Sequence, residues 1–202
     1  MKLSNYSLRI NNRQLLTDVN IEFNKGVINH ILGKNGVGKS LFAKDILFRN
    51  KSSIVIGSYS NIPEDINFRE LRRLLIHKFG SNNVNNMCDV LNTTNIDDKI
   101  VLKKLSDGQR QKIKIMVFLL FDGDIVILDE VTNALDKKTA NEICTFFNQY
   151  IFNNPQKTIL NITHNLSDLN NMEGNYYLFE DCNIKKYNSK NEIIDVYVNG
   201  GK

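Results

Sequence analysis

The feature that most constrains this chain is a glycine-rich stretch at residues 33–40, GKNGVGKS, which matches the pattern G-x-x-x-x-G-K-[ST]. It directly follows the apolar residues 28–32 and precedes a segment with a helical pattern. Glycines let backbone N–H groups close around a phosphate at the positive end of the next helix. The stretch therefore predicts a strand, a phosphate-binding loop and a helix, with Lys39 reaching the phosphates and the Ser40 hydroxyl ligating Mg²⁺.

The rest of the chain alternates strand and helix patterns, which is typical of a layered, largely parallel sheet. Strands are predicted at 3–10, 19–23, 27–32, 54–59, 125–128, 159–163 and 176–179, and helices at 39–48, 108–121 and 137–152. The first three strands follow one another too closely for helices between them, so they are expected to be antiparallel. We predict an α/β fold of the P-loop NTPase type, with a RecA-like parallel sheet core and N-terminal antiparallel strands.

Residues 61–105 lose the strand signal and are predicted to be helical and polar. We expect one domain over 1–202, in which 1–60 and 111–202 form the nucleotide-binding core and 61–110 form an inserted helical subdomain. Residues 176–187 predict a hairpin that turns near 181–183, followed by a short apolar segment at Ile193 and Ile194.

Composition excludes several classes of protein. Three cysteines without C-x-x-C spacing argue against a disulfide framework or a zinc site and favour a reduced, cytosolic setting. The longest apolar run, 115–121, is far below the roughly 20 residues of a membrane-spanning helix, and the first residues lack the apolar stretch of a secretory signal. The formal net charge of +4 permits an anionic partner without requiring one.

Two acids end an apolar strand, in the segment 124–130, DIVILDE. Ligands of such sheets lie beyond the carboxyl ends of the strands. Asp129 is therefore expected to hold Mg²⁺ through water, and Glu130 to orient or deprotonate an attacking water. Taken alone, the pair would more often be a solvated strand end.

The segment 105–111, LSDGQRQ, lies ahead of a predicted helix, and its Ser106 precedes Asp129 by 23 residues (129 − 106). It resembles the L-S-G-G-Q signature of the ATP-binding-cassette (ABC) ATPases, although Ser106 could also act simply as a helix cap. The resemblance continues through residues 129–136, DEVTNALD, and 161–164, NITH. It implies that His164 contacts the γ-phosphate, while His30 and His77 remain ordinary residues.

The resemblance also implies the remaining functional assignments. Catalytic roles fall to Lys39, Glu130 and His164, and the metal ligands are Ser40, Asp129 and Asn61. Contacts with ATP are implied for Gly33, Lys34, Asn35, Gly36, Val37, Gly38, Lys39, Ser40, Leu41, Ser106, Asp107, Gly108, Gln109 and Asp136. Two cassettes, as a homodimer or a paired cassette, are expected to close head to tail around two ATP, with Mg²⁺ as the metal.

The implied partners are integral membrane transporter subunits, which would contact the transported substrate themselves and dock on residues 61–105. The chain is then expected to be cytoplasmic and peripheral on the cytosolic face of the cell membrane, in an ABC transporter for which export is slightly favoured.

The sequence departs from the family pattern in two places that bear on the nucleotide. Between Ser40 and Gln109 there is no glutamine, so Asn61 occupies the register of the family's Q-loop glutamine. Ile10 stands where the family usually has an adenine-stacking tyrosine, and Tyr6 is a poor substitute by register. Asp107 also replaces a signature glycine, and Val131 replaces a proline.

Two alternatives remain open. One is a soluble ABC ATPase acting on nucleic acid or ribosomes, which basic residues in two clusters could favour: Lys103, Lys104, Arg110, Lys112 and Lys114 in one, and Arg69, Arg72 and Arg73 in the other. We regard nucleic acid as the weaker interpretation, because such clusters are usually solvated helix faces. The other is a regulatory cassette that hydrolyses ATP weakly.

Overall fold

The computed structural model describes residues 1–200. Eight strands are present in this range: β1 (Lys2–Ile10), β2 (Arg13–Glu22), β3 (Ile28–Leu32), β4 (Ser53–Ile56), β5 (Ile125–Asp129), β6 (Thr158–Ile162), β7 (Gly174–Glu180) and β8 (Asn183–Tyr187). The helices are α1 (Lys39–Arg49), α2 (Phe68–Phe79), α3 (Ser81–Val90), α4 (Asp107–Leu119), α5 (Lys137–Asn153), α6 (Leu166–Asn171) and α7 (Lys190–Asn199), with a short 3-10 helix at Leu102–Lys104.

The strands form two sheets. β1 and β2 pair as an antiparallel ribbon, and the other six strands form a sheet in the order β4-β5-β6-β3-β7-β8. All neighbours in the larger sheet are parallel except β7 and β8, which form the predicted hairpin. The carboxyl ends of β3, β4, β5 and β6 consequently meet at one edge, and each is followed by a segment with candidate functional residues.

Alternating side chains of the central strands bury both faces of the larger sheet. On β5, Val126 and Leu128 belong to the core that includes α4 and α5, whereas Ile125 and Ile127 belong to the core beneath α1 and the β1–β2 ribbon. A strand covered on both faces becomes a continuous apolar run, which is why residues 125–128 were recognisable as one.

The α/β class and the P-loop NTPase type are confirmed, while two details differ from the expectations. β3 is not part of the N-terminal antiparallel set but lies in the middle of the parallel sheet, between β6 and β7. The proposed boundary at residue 110 falls inside the continuous helix α4.

The short apolar segment at Ile193 and Ile194 lies on helix α7, where Ile193 is fully buried against β7 and α6.

Candidate active site

The glycine-rich loop runs from the end of β3 to the start of α1, as its pattern predicts. A Cβ atom on Gly33 would lie 2.7 Å from the Phe179 carbonyl oxygen, so no side chain fits there. Gly38 has a φ of 116° and is the N-cap of α1, without a side-chain hydrogen bond to the helix. The first N–H groups of α1 are therefore available to an anion at the positive end of the helix.

Lys39 is buried against its own loop. Its Nζ donates to the carbonyl oxygens of Gly33, at 2.6 Å, and Lys34, at 3.1 Å. Burial lowers the pKa of the Lys39 ammonium, and the carboxylates of Glu130 and Asp129 oppose that change. The cation is thus held at the mouth of the loop, and it must leave these carbonyls to reach a phosphate.

The carboxylate of Asp129 ends β5 and contributes to a cavity of about 220 Å³ at the carboxyl edge of the sheet, together with Ser40 and Glu130. Its Oδ1 atom is buried and has no hydrogen-bond partner among residues 1–200. Burial raises the pKa of Asp129, while the Ser40 hydroxyl opposes the rise. A buried carboxylate oxygen without a partner, next to a hydroxyl, is a donor set that suits Mg²⁺.

Glu130 and His164 form a pair across the ends of β5 and β6. The Nδ1 atom of His164 lies 2.9 Å from Oε1 of Glu130. Glu130 has a left-handed backbone with a φ of 57°, and its N–H donates to the Ile162 carbonyl oxygen. A strained non-glycine residue at this position turns its carboxylate toward the edge where the phosphates would lie.

A buried carboxylate that the sequence did not single out ties these two segments together. Asp168 of α6 is 1% exposed. Its oxygens accept from the hydroxyl of Thr132, at 2.8 Å and 2.9 Å, and from that of Thr163, at 2.7 Å. Thr132 follows Glu130 by two residues and Thr163 precedes His164, so Asp168 fixes the distance between the two chain segments. Because Asp168 lies 36 residues after Thr132, no local sequence pattern could have predicted this contact.

Residues 105–108, which resemble the family signature, lie beside the start of α5 and outside the cavity of Ser40, Asp129 and Glu130. Ser106 caps α4 in a capping box, accepting from the N–H of Gln109, whose side chain in turn accepts from the Ser106 N–H. Asp107 pairs with Arg110 at the surface. A Cβ on Gly108 would lie 2.7 Å from Thr139, whose hydroxyl donates to Asp136, the N-cap of α5.

The structure shows where Tyr6 and Asn61 lie, the residues considered in place of the family's adenine-stacking tyrosine and Q-loop glutamine. Tyr6 is buried and its hydroxyl donates to Asp45 at 2.5 Å, so it is a core residue and is not free to stack on a base. Asn61 is exposed and is not among the residues lining the cavity of Ser40, Asp129 and Glu130; it lines an adjoining cavity with Ser58 and Gln111.

Residues that the sequence reasoning missed also line the cavity, among them Ser58, Gln111, Lys114 and Asn133. Lys114 donates to the Gly57 carbonyl oxygen at 3.1 Å. Gln111 and Lys114 are three residues apart on α4, a spacing that puts two side chains on one helical face. This spacing is the sequence feature that could have placed Gln111 and Lys114 at the same site.

Together, the parallel sheet, the loop between β3 and α1, and the acids at the end of β5 define a P-loop nucleotide-binding ATPase. A sequence model of the family described as ABC transporter matches residues 16–133, more than half of the chain. The chain belongs to this family and is an ATP-binding ATPase subunit of the ABC type. This confirms the family that the resemblance indicated.

The relatives and solved structures agree with that assignment. A Bacillus subtilis (strain 168) protein named "Probable peptide export ATP-binding protein YydI" is 47% identical over 98% of this chain and 100% of its own length. A nucleotide-free ATP-binding cassette from an ABC transporter superposes with a TM-score of 0.76 at 16% identity, over 96% of this chain and 93% of its own. The dimeric cassette MJ0796, bound to ADP and Pi after hydrolysis, gives 0.72 at 18% identity, over 93% and 99%.

Proposed function

We propose that this chain powers peptide export by hydrolysing ATP at the carboxyl edge of its sheet, and that the Glu130–His164 pair is the observation that carries the assignment. Glu130 would orient or deprotonate the attacking water. His164 would hold Glu130 before nucleotide arrives and contact the γ-phosphate afterwards. Lys39 would exchange the two loop carbonyls for the β- and γ-phosphates.

The metal assignment rests on Ser40 and Asp129. Mg²⁺ bound there would neutralise charge on the phosphates. The Ser40 hydroxyl and the unpartnered Oδ1 of Asp129 are the groups that would hold it, either directly or through water. Residues 33–38 and Leu41 would surround the phosphates at the start of α1, where no side chain caps the helix.

A complete ATP site would need two copies of the chain. Ser106, Gly108 and Gln109 lie at the start of α4, where N–H groups and a hydroxyl can donate hydrogen bonds to an anion. These residues are nevertheless outside the cavity of Asp129 and Glu130. A second copy arranged head to tail would bring its α4 start to the phosphates held by the first. Asp136 would then lie at the same junction, because it is linked through Thr139 to Gly108.

A membrane partner would dock in a groove of about 540 Å³ where the segment after β4 meets the ends of α1 and α4. Leu47 and Phe121 line it and expose 40% and 52% of their surface. Exposed apolar side chains around a groove are typical of a protein–protein interface. The groove also includes Asn61, at the edge of the helical segment that we expected to dock.

Among residues 1–200 there is no helix of the length and apolarity that crossing a membrane requires. We infer a peripheral position on the cytosolic face, with the transported substrate contacting the membrane subunits. The proposal of peptide export is supported by the name of the relative that is 47% identical over its full length.

Action on nucleic acid receives less support, because half of the basic side chains that suggested it already pair with carboxylates. Arg69 pairs with Asp98, Lys103 with Asp65 and Lys112 with Glu142. Arg110 pairs with Asp107. Paired charges contribute little to a phosphate-binding surface.

The substitution Glu130→Gln tests the proposed function. It removes the base but keeps the shape of the side chain, so ATP turnover should fall about a hundredfold or more while ATP-dependent dimers accumulate. Turnover by released phosphate and dimer formation by sedimentation would be measured on the same preparation. A variant that hydrolyses at the parental rate would remove Glu130 from the role, and a parent as slow as the variant would favour the regulatory alternative.

A further inference from the structure

The segment after β4 presents a tyrosine, rather than its asparagine, to the metal-binding carboxylate. Gly57 stands between the two side chains: a Cβ added to it would lie 3.0 Å from Asp129 Cβ and 3.6 Å from Tyr59 Cε1. The hydroxyl oxygen of Tyr59 is buried and, in the described part of the chain, unpartnered, as is Oδ1 of Asp129. The phenol and the carboxylate are thus neighbours across Gly57, and neither atom has another partner among the described residues.

The position of Tyr59 is fixed from two sides. The N–H of Ser60 donates to the Gly57 carbonyl oxygen, and the Ser60 hydroxyl accepts from the Gly57 N–H and donates to Val55, which closes a tight turn around Tyr59. On the other side, the ammonium of Lys44 lies 4.4 Å from the centroid of the Tyr59 ring. Lys44 is one helical turn beyond Ser40 on α1, so the ring lies alongside the proposed metal ligands.

Both Tyr59 and Asn61 line the groove beside the end of β4, and neither lines the cavity of Ser40, Asp129 and Glu130. They differ in burial: the Tyr59 hydroxyl is buried, whereas Asn61 is exposed. An asparagine is also one methylene shorter than a glutamine, which reduces its reach toward the edge of the sheet.

We propose that Tyr59 is a positioning residue for the metal site: its buried hydroxyl, which has no other partner among the described residues, would donate to one oxygen of the Asp129 carboxylate and leave the other directed toward Ser40 and Mg²⁺. A carboxylate with two rotatable bonds loses orientational freedom on binding a metal, and a hydrogen bond made beforehand reduces that loss. This inference rests on the proposed metal role of Asp129. The register of the Q-loop glutamine had instead predicted Asn61 as a metal ligand.

The test is the Mg²⁺ dependence of nucleotide binding by the full chain, measured with a fluorescent mant-ATP probe at increasing Mg²⁺. Tyr59→Phe removes only the hydroxyl, and it should raise the Mg²⁺ concentration at half-saturation about tenfold or more, the effect of losing one hydrogen bond to a charged group. Binding of the probe without Mg²⁺ should stay within about twofold of the parent, because the loop and α1 are untouched.

Three further variants make the result decisive. Tyr150→Phe removes a tyrosine hydroxyl from the last turn of α5, at the opposite end of the sheet, and should leave the Mg²⁺ dependence unchanged. Asp129→Asn should raise the half-saturating Mg²⁺ more than Tyr59→Phe does; if it has no effect, the proposed metal role itself fails. If Asp129→Asn has an effect but Tyr59→Phe does not, or if Asn61→Ala shifts the midpoint more than Tyr59→Phe, only the role of Tyr59 is overturned.

The EPR spectrum of Mn²⁺ bound with ATP gives a second readout that is independent of turnover. A change in the Mn²⁺ line shape in Tyr59→Phe, together with a parental thermal unfolding curve, would show that the hydroxyl acts on the metal site. An unchanged spectrum and an unchanged midpoint would contradict the inference.

Discussion

The loop after β3 and the loop after β4 leave the same edge of the sheet, yet they specify their geometry in different ways. In the loop after β3, the backbone sets the geometry: Gly33 faces a carbonyl oxygen where any Cβ would clash, and Gly38 adopts a left-handed φ. In the loop after β4, a side chain holds the turn, because the Ser60 hydroxyl accepts from the Gly57 N–H and donates to the Val55 carbonyl oxygen. The glycine pattern of the first loop is readable from the sequence, whereas the register of the second pointed to Asn61, which is exposed and lies outside the cavity of Ser40, Asp129 and Glu130.

The largest effect is expected from Lys39→Ala in the loop after β3. Loss of the cation at the β- and γ-phosphates should reduce ATP turnover by at least a hundredfold, because a preorganised positive charge in a catalytic site contributes on that order. Phosphate release at saturating ATP measures the effect. Lys51→Ala, an exposed lysine beyond the end of α1, is the matched control and should retain parental turnover; turnover above a tenth of the parental rate in Lys39→Ala would contradict the assignment.

Gly33→Ala and Gly36→Ala compare two glycines within the same loop. The new methyl group at Gly33 would lie 2.7 Å from the Phe179 carbonyl oxygen, whereas nothing lies within 4 Å of a Cβ at Gly36, whose φ is 80°. We expect Gly33→Ala to reduce the free energy of unfolding by about 2 to 3 kcal/mol and Gly36→Ala by about 1 kcal/mol, from backbone strain alone. Denaturant unfolding would distinguish them, and equal losses would show that the contact with Phe179 is not limiting.

The loop after β4 should respond to Ser60→Ala with a smaller loss. Removing the buried hydroxyl leaves the Gly57 N–H without its partner, which costs about 1 to 2 kcal/mol in unfolding free energy. Ser58→Ala, at an exposed neighbour in the same turn, should have no measurable effect on stability. If the two variants unfold alike, the turn is held by its backbone and the contrast between the two loops disappears.

The parts of the fold that could be predicted are those whose residue types follow from local geometry. Residues 125–129 form a strand buried on both faces and the 33–40 loop leads into α1, as their patterns indicate. The position of β3 within the larger sheet could not be predicted from the sequence. β3 follows β2 closely in the chain, but its neighbours in the sheet are β6 and β7. Asp168 and the proposed role of Tyr59 could not be predicted either, since each depends on a residue far away in the chain, Thr132 and Asp129 respectively.

We propose that each ATP site is shared by two copies of the chain, and mixing two inactive variants tests this arrangement. Lys39→Ala disables the phosphate loop and Ser106→Arg blocks the exposed start of α4, so neither variant alone should hydrolyse ATP. In a mixed head-to-tail dimer one site combines the intact loop of one copy with the intact α4 of the other. Random pairing should then restore about a quarter of parental turnover. A mixture no more active than the separate variants, each shown to be folded and to form dimers with the other, would contradict the account.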